Sequence, residues 1–202
     1  QHFRSGTEGP RADGTVPAET SKRRQCLTHQ DASGGDPVRL LAGCARRVEA
    51  ALDNALATSA LAGEHARPER LVAAMRHAAL GGGKRLRPGL VLASARLFGR
   101  DDAGVILAGA ALECIHCYSL VHDDLPAMDD DDMRRGRPTV HKAYDEATAI
   151  LAGDALLTLA FDLIADPAVH ASASVRLEAS RELARAAGHG GMAGGQMLDL
   201  AS

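Results

Sequence analysis

The chain has 202 residues and a net charge of −3. This length suits one domain or part of a larger one, and the charge gives no general affinity for nucleic acid or an anionic membrane. Hydrophobic residues make up 46% of the chain but aromatic residues only 2%. The core must therefore consist mainly of Ala, Leu, Val and Met, of which Ala and Leu are strong helix formers.

The first 34 residues are predicted to form a disordered leader. They are rich in Gly, Pro, Ser, Thr and Arg and lack the apolar run of a secretory signal. The folded unit is expected at residues 35–202. Cys114 and Cys117 form a lone CxxC pair with no second pair to complete a zinc site, so we expect reduced cysteines within a helix and a cytoplasmic protein.

From Asp36 onward apolar residues recur at helical spacing, and no stretch alternates with period two for long enough to predict a sheet. Pro37 suits the first turn of a helix capped by Asp36. Further helices are predicted at residues 68–80, 88–98, 102–123, 145–165 and 172–187. The fold class is therefore an all-α bundle of long helices.

Residues 103–121 form an apolar run long enough to resemble a membrane span. The run also carries Glu113, His116 and many small residues. These features favour a packed central helix, so we expect no membrane span.

The segment HDDLPAMDDDDMRRGRP follows this run and has six aspartates in ten residues. Carboxylates so close to a core need a cation, either arginine or a metal. Pro126 should break the helix after Asp124, which leaves Asp123 at the unfavourable negative end of the helix dipole. The break would let Asp129 bend back toward Asp123, and such a carboxylate pair suits Mg2+.

The acidic segment has two other interpretations, a calcium-binding loop and a solvated loop. An EF-hand loop beginning at Asp129 would need Gly at position 134 and Glu at position 140, where the chain has Arg134 and Val140. Starts one or two residues later fail equally. A solvated acidic loop remains an alternative, with Arg134 and Arg135 merely balancing its charge.

The segment GGGKRLRP at residues 81–88 is a candidate anion site. Its glycines let the backbone approach a ligand, and Lys84 and Arg87 share a face of a helical turn. It is not a Walker A loop, because Arg85 follows Lys84 where Ser or Thr is required. The alternative is a glycine-rich linker with solvated basic side chains.

Three more residues extend the candidate site. Arg134 and Arg135 could bind phosphate oxygens through their planar guanidinium groups. A lone His on an apolar helix is usually a core residue, but His116 lies two helical turns before Asp123 and hence on the same face, which shifts the interpretation toward a ligand contact. Together these features predict a site for two diphosphates with apolar tails.

The chain resembles the trans-isoprenyl diphosphate synthases, most closely their bacterial, farnesyl-forming members. The resemblance lies in GGGKRLRP, residues 111–161 and GHGGMAGGQMLDL, and DDLPAMD is similar to the family's first aspartate-rich motif. It implies a helical bundle of the isoprenoid synthase type. Residues 35–202 would be the N-terminal part of a polyprenyl synthase domain, truncated before its C-terminal helices and second aspartate-rich motif.

The resemblance also implies a reaction in isoprenoid biosynthesis. Mg2+ held by Asp123 and Asp129 would bind an allylic diphosphate, dimethylallyl or geranyl. Asp124 would support the metal site and Arg134 would contact the same diphosphate. Isopentenyl diphosphate would attack the resulting allylic cation and lose a proton, giving farnesyl diphosphate.

Further residue roles are carried by the resemblance alone. The implied contacts of isopentenyl diphosphate are Lys84, Arg87, His116 and Arg135. Gln196 resembles a residue near the allylic pocket. Tyr118, with Ser119 beside it, resembles the position that limits product length, although helical spacing places Ser119 nearer the Asp123 face and ordinary core packing would also explain Tyr118.

By resemblance the protein is expected to be a homodimer. These 202 residues alone are expected to be inactive, because the second half of the metal cage would be missing. Alternatives are a geranylgeranyl or other chain-length synthase and a non-catalytic partner subunit. A terpene cyclase or a non-enzymatic metal-binding protein would not need GGGKRLRP.

Overall fold

The computed structural model describes residues 37–201, which form helices and one short hairpin. The elements are α1 Pro37–Ala55, α2 Glu69–Ala79, α3 Leu86–Arg96, α4 Ala103–Asp123, β1 Met133–Arg134, β2 Arg137–Pro138, α5 Val140–Ala143, α6 Glu146–Ala165, α7 Ala173–Ala187 and α8 Met192–Asp199. The predicted all-α class is confirmed. The predicted leader and the Asp36 cap lie outside the described residues.

The helices that sequence periodicity predicted are α1 to α4, α6 and α7. Sequence reasoning missed α5, α8 and the hairpin. Helix α5 has only four residues, and the hairpin strands have two each, so neither is long enough to show a period. Helix α8 contains two glycines, which weaken its helical propensity.

Aspartates fix the starts of the two central helices. The Asp102 side chain accepts a hydrogen bond from Val105 N at 3.2 Å at the start of α4. The Asp145 side chain accepts one from Thr148 N at 2.7 Å at the start of α6. Each cap satisfies a backbone donor that the helix itself leaves free.

Helix α4 lies in the core and packs against α1, α3 and α6. Small residues make this close packing possible. A Cβ at Gly109 would lie 3.1 Å from Pro88 Cβ on α3. At Gly104 the backbone of the 168–169 turn is even closer, with Val169 O 2.7 Å from the position of a Cβ. Glycine at these positions therefore sets the distance between α4 and its neighbours.

Among residues 37–201, α4 and α6 are long and apolar enough to cross a membrane. Their mean hydropathies are 1.6 and 1.7. Of the apolar window, 61% is buried in α4 but only 33% in α6. The burial of α4 agrees with the central helix expected at residues 103–121, whereas sequence reasoning did not single out α6. Core helices of soluble proteins share this length and composition.

A glycine-to-alanine pair tests the packing of α4. We expect Gly104→Ala to destabilise the chain by about 1–3 kcal/mol, because a Cβ there overlaps backbone oxygens. The matched control is Gly43→Ala in α1, where no atom lies within 4 Å of the new Cβ. It should stabilise the chain by about 0.5–1 kcal/mol through helix propensity. Urea denaturation measures both, and equal stabilisation by the two variants would contradict the close approach.

Candidate active site

The chain turns back on itself where α4 ends. Beyond Asp123, the Leu125 N–H donates to His122 O at 3.2 Å, and the Asp129 N–H donates to Asp123 O at 2.8 Å. Pro126 lies inside this turn and cannot continue the helix. The structure therefore brings Asp129 back to Asp123, as the break at Pro126 predicted.

Asp123 and Asp129 lie close enough for their negative charges to interact. Burial raises the pKa of Asp123, and the charge of Asp129 raises it further, while Arg134 acts in the opposite direction. Within residues 37–201 neither carboxylate has a salt bridge or a side-chain hydrogen bond. Carboxylate oxygens are the donors that Mg2+ prefers, so the chemistry of this pair fits the ion.

Asp124 is directed to a different partner. It is 3% exposed, and its Oδ1 accepts a hydrogen bond from Arg134 Nε at 2.6 Å. Asp131 Oδ2 lies 3.1 Å from Arg134 Nη2. Burial raises the pKa of Asp124, whereas the hydrogen bond from Arg134 lowers it. In this structure Asp124 holds the Arg134 guanidinium in place, next to the Asp123–Asp129 pair.

The hairpin turn separates the two arginines predicted to bind diphosphate. Arg135 and Gly136 form the turn with φ of 53° and 75°, the left-handed values of a tight hairpin. Arg135 Nη1 donates to Gly82 O, and its Nη2 lies 3.4 Å from His116 Nε2. A Cβ at Gly83 would clash with this guanidinium. Arg135 thus joins the glycine-rich loop while Arg134 stays with the aspartates.

A cavity of about 550 Å3 is lined by the other basic residues that the sequence predicted for the site. Its lining includes Lys84, Arg87, His116 and Arg135. Burial lowers the pKa of His116, and the positive charges of Arg87 and Arg135 lower it further. Within residues 37–201 Lys84 and Arg87 have no ion-pair partner, so the cavity carries uncompensated positive charge and suits a diphosphate.

Three residues that the sequence predicted for the site do not line this cavity. Gln196 is half-buried on α8. Ser119 Oγ donates to His116 O at 3.0 Å. The ring of the half-buried Tyr118 lies nearly perpendicular to that of His122, with 5.9 Å between the ring centroids. Burial raises the pKa of Tyr118, and so does the charge of Asp123, so Tyr118 lies on the side of α4 near the aspartates.

Sequence reasoning missed one possible metal-binding group. Asp130, Asp132 and His141 each offer a ligand atom within 4.8 Å of the others. Asp132 is already paired with Lys142 Nζ at 2.7 Å, and this hydrogen bond lowers the pKa of the carboxyl. The charge of Asp132 is therefore compensated by a direct ion pair, which Asp123 and Asp129 lack among residues 37–201. The proximity of His141 depends on the hairpin, which the sequence did not reveal.

A comparison of the chain with known protein families identifies one that matches. Residues 68–202 match polyprenyl synthetase. The chain belongs to the polyprenyl synthetase family. The family assignment covers both GGGKRLRP and the aspartate-rich segment, and it confirms the resemblance to isoprenyl diphosphate synthases.

Individual relatives support the same assignment. Farnesyl diphosphate synthase of Escherichia coli is 55% identical over 131 residues, covering 64% of this chain and 44% of the relative. A chloroplastic geranylgeranyl pyrophosphate synthase of Arabidopsis thaliana is 49% identical over 139 residues, covering 67% and 38%. The chain therefore spans less than half the length of either relative.

A solved structure confirms the isoprenoid synthase fold. The crystal structure of an FPP/GFPP synthase from Zymomonas mobilis, in apo form, matches with a TM-score of 0.76 and 48% identity. The match covers 82% of this chain and 59% of the other. The bundle described above thus corresponds to more than half of that polyprenyl synthetase structure.

Replacing Asp123 tests the carboxylate pair in the chain itself. The pKa of Asp123 is raised in the folded chain, so ionisation of this carboxyl costs stability. The cost appears as the pH rises from the unfolded pKa through the folded pKa. We expect Asp123→Asn to raise the melting temperature in EDTA by about 1–3 °C, a modest amount because solvent screens the pair. Mg2+ should stabilise the native chain but not this variant.

Asp132→Asn is the matched control, because Asp132 lies in the same acidic run but pairs with Lys142. It should keep the Mg2+ stabilisation seen by differential scanning fluorimetry. An equal loss in both variants would show that the whole run attracts the ion and would contradict a specific Asp123–Asp129 site.

Proposed function

We propose that the whole protein is a prenyltransferase of isoprenoid biosynthesis that condenses isopentenyl diphosphate with an allylic diphosphate. One observation carries the proposal. Helix α4 ends at Asp123, a carboxylate without an ion-pair partner among residues 37–201. Two turns earlier on the same helix, His116 lines a cavity whose Lys84 and Arg87 also lack ion-pair partners in this part of the chain. The two regions suit two diphosphates bound in different ways, one through Mg2+ and one directly. Membership of the polyprenyl synthetase family supports this proposal.

The allylic diphosphate, dimethylallyl or geranyl, is assigned to the aspartate end of α4. Mg2+ bound there would neutralise negative charge that develops on the leaving diphosphate. Asp123 and Asp129 would hold this ion through their carboxylate oxygens. Arg134, fixed by Asp124, supplies a positive charge that is already in place before the reaction begins.

Isopentenyl diphosphate is assigned to the basic cavity. Lys84, Arg87 and Arg135 neutralise its diphosphate, and His116 can hydrogen-bond to it. In the free protein the low pKa of His116 keeps this ring neutral. A diphosphate nearby would favour its protonated form, which adds a charge-assisted donor to the site.

The finer features of the protein are proposals of the same kind. We propose a cytoplasmic homodimer, supported by the unpaired buried Cys44, Cys114 and Cys117 and by the exposed apolar Ile150 and Leu151 on α6. We propose farnesyl diphosphate as the product, and Gln196 as a residue near the allylic pocket. A preparation of the 202 residues alone should show no turnover.

Lys84→Ala tests the assignment of the two substrates. The variant removes an uncompensated cation from the basic cavity, so the KM for isopentenyl diphosphate should rise at least tenfold, or by ~1.4 kcal/mol of binding. The KM for geranyl diphosphate should change less than about twofold. Steady-state assays of the whole protein with radiolabelled isopentenyl diphosphate measure both values.

Lys142→Ala is the matched control, since Lys142 is exposed and pairs with Asp132, and it should leave both KM values unchanged. A larger effect of Lys84→Ala on geranyl diphosphate would reverse the assignment. Equal effects of the two lysine variants would remove the cavity as a specific site.

Tyr118→Ala tests the product length. Tyr118 lies on the Asp123 side of α4, and its removal would open space along the path proposed for the growing chain. Burial of one more isoprene unit at roughly 25 cal/mol per Å2 would then favour longer products. Chromatography of the dephosphorylated products should show geranylgeranyl or longer chains. An active variant with an unchanged product would exclude Tyr118 as the residue that stops elongation.

A further inference from the structure

Arg85 is the most deeply buried cation among residues 37–201. Its side chain is fully buried, and its Nη1 donates to Glu113 Oε1 at 2.7 Å on α4. Its Nη2 donates to Ala79 O at 2.6 Å at the end of α2. Glu49 Oε1 on α1 lies 3.5 Å from the same Nη2. One guanidinium therefore joins three helices at the start of α3.

Several features of Arg85 are unfavourable for stability. Its backbone has a φ of 46°, a left-handed conformation that a non-glycine residue rarely adopts. Its Nε has no hydrogen-bond partner although it is buried. Burial would lower the pKa of Arg85, but the hydrogen bond to Glu113 and the nearby carboxylates outweigh it and raise the pKa, so the group stays charged. Buried ion pairs of this kind are often replaced by apolar residues without loss of stability.

The pair connects the two elements that carry the basic cavity. Arg85 directly follows Lys84 and lies two residues before Arg87, so it anchors the segment that bears both cations. Glu113 lies three residues before His116, on the same side of α4. Arg85 and Glu113 are themselves part of the cavity lining. This contact therefore helps to set the distance between the cations and His116, together with the hydrogen bond from Arg135 Nη1 to Gly82 O.

We propose that the Arg85–Glu113 pair is a positioning device for the isopentenyl diphosphate site, an inference that rests on the proposed function. Its two members need not touch the substrate. They hold the glycine-rich loop against α4 so that Lys84, Arg87 and His116 converge on one diphosphate.

The test replaces the ion pair with apolar groups in the double variant Arg85→Met/Glu113→Leu. The melting temperature should stay within about 2 °C of the native chain or rise, because both buried charges are removed together. Loss of the Glu113 charge alone would lower the pKa of His116, whereas movement of Arg87 away from the ring and opening of the cavity would raise it. We therefore expect this pKa, followed by NMR, to rise despite the loss of Glu113. The Kd for isopentenyl diphosphate, measured by calorimetry, should increase at least tenfold, or by ~1.4 kcal/mol.

The double variant Arg185→Met/Glu182→Leu is the matched control. It makes the same substitutions at an exposed pair on α7, where Arg185 Nη1 lies 2.9 Å from Glu182 Oε1. It should leave the His116 pKa and the Kd unchanged. An unchanged Kd in the Arg85 double variant, with a His116 pKa that only falls as the loss of the Glu113 charge dictates, would overturn the positioning role.

A second variant keeps the positioning role testable if the Arg85 double variant unfolds. Glu113→Gln then takes its place, since it keeps the shape of the side chain. An unchanged Kd in a folded Glu113→Gln variant, with a His116 pKa that only falls through the lost charge, would overturn the proposal. Failure of the native chain to bind isopentenyl diphosphate would contradict the proposed function. In that case the His116 pKa of the variants would still show whether the Arg85–Glu113 pair positions the loop.

Discussion

Burial of α4 is the constraint on which the site depends. A polar side chain on a buried helix must find a partner, because an unpaired charge away from water is costly. Glu113 is satisfied by Arg85, and Asp124 by Arg134. Asp123, on the same helix, has no salt bridge in the part of the chain that the structure describes. Glu113 and Asp124 therefore support the site through their arginine partners, whereas Asp123 remains available to a ligand.

In the segments around α4, residues other than glycine adopt left-handed backbone conformations. Among residues 37–201, the non-glycine residues with positive φ are Arg85, Asp130 and Arg135. Each lies in the glycine-rich loop or the aspartate–hairpin segment, and such strain costs about 1–3 kcal/mol per residue. The raised pKa of Asp123 is another cost in the protein without ligands. The fold therefore carries unfavourable contributions to stability in the segments that border this site.

Much of the architecture and part of the site follow from local patterns. Apolar spacing predicted six helices, and Pro126 predicted the return of Asp129 to Asp123. Other features depend on residues far apart in sequence. The separation of Arg134 from Arg135 depends on a two-residue turn, and the role of Arg85 depends on a partner 28 residues away. A lone Glu113 in an apolar helix was the available signal for a buried pair, but it did not identify which arginine would join it.

The central claim is that one chain carries two diphosphate sites of different chemistry, one direct and one dependent on a metal. Calorimetric titration of the chain with inorganic diphosphate, in EDTA and then in Mg2+, tests it most directly. We expect binding in EDTA at the basic cavity, and a second binding event that requires Mg2+ and is absent in Asp123→Asn. Binding that occurs only with Mg2+, or a single event under both conditions, would contradict two separate sites.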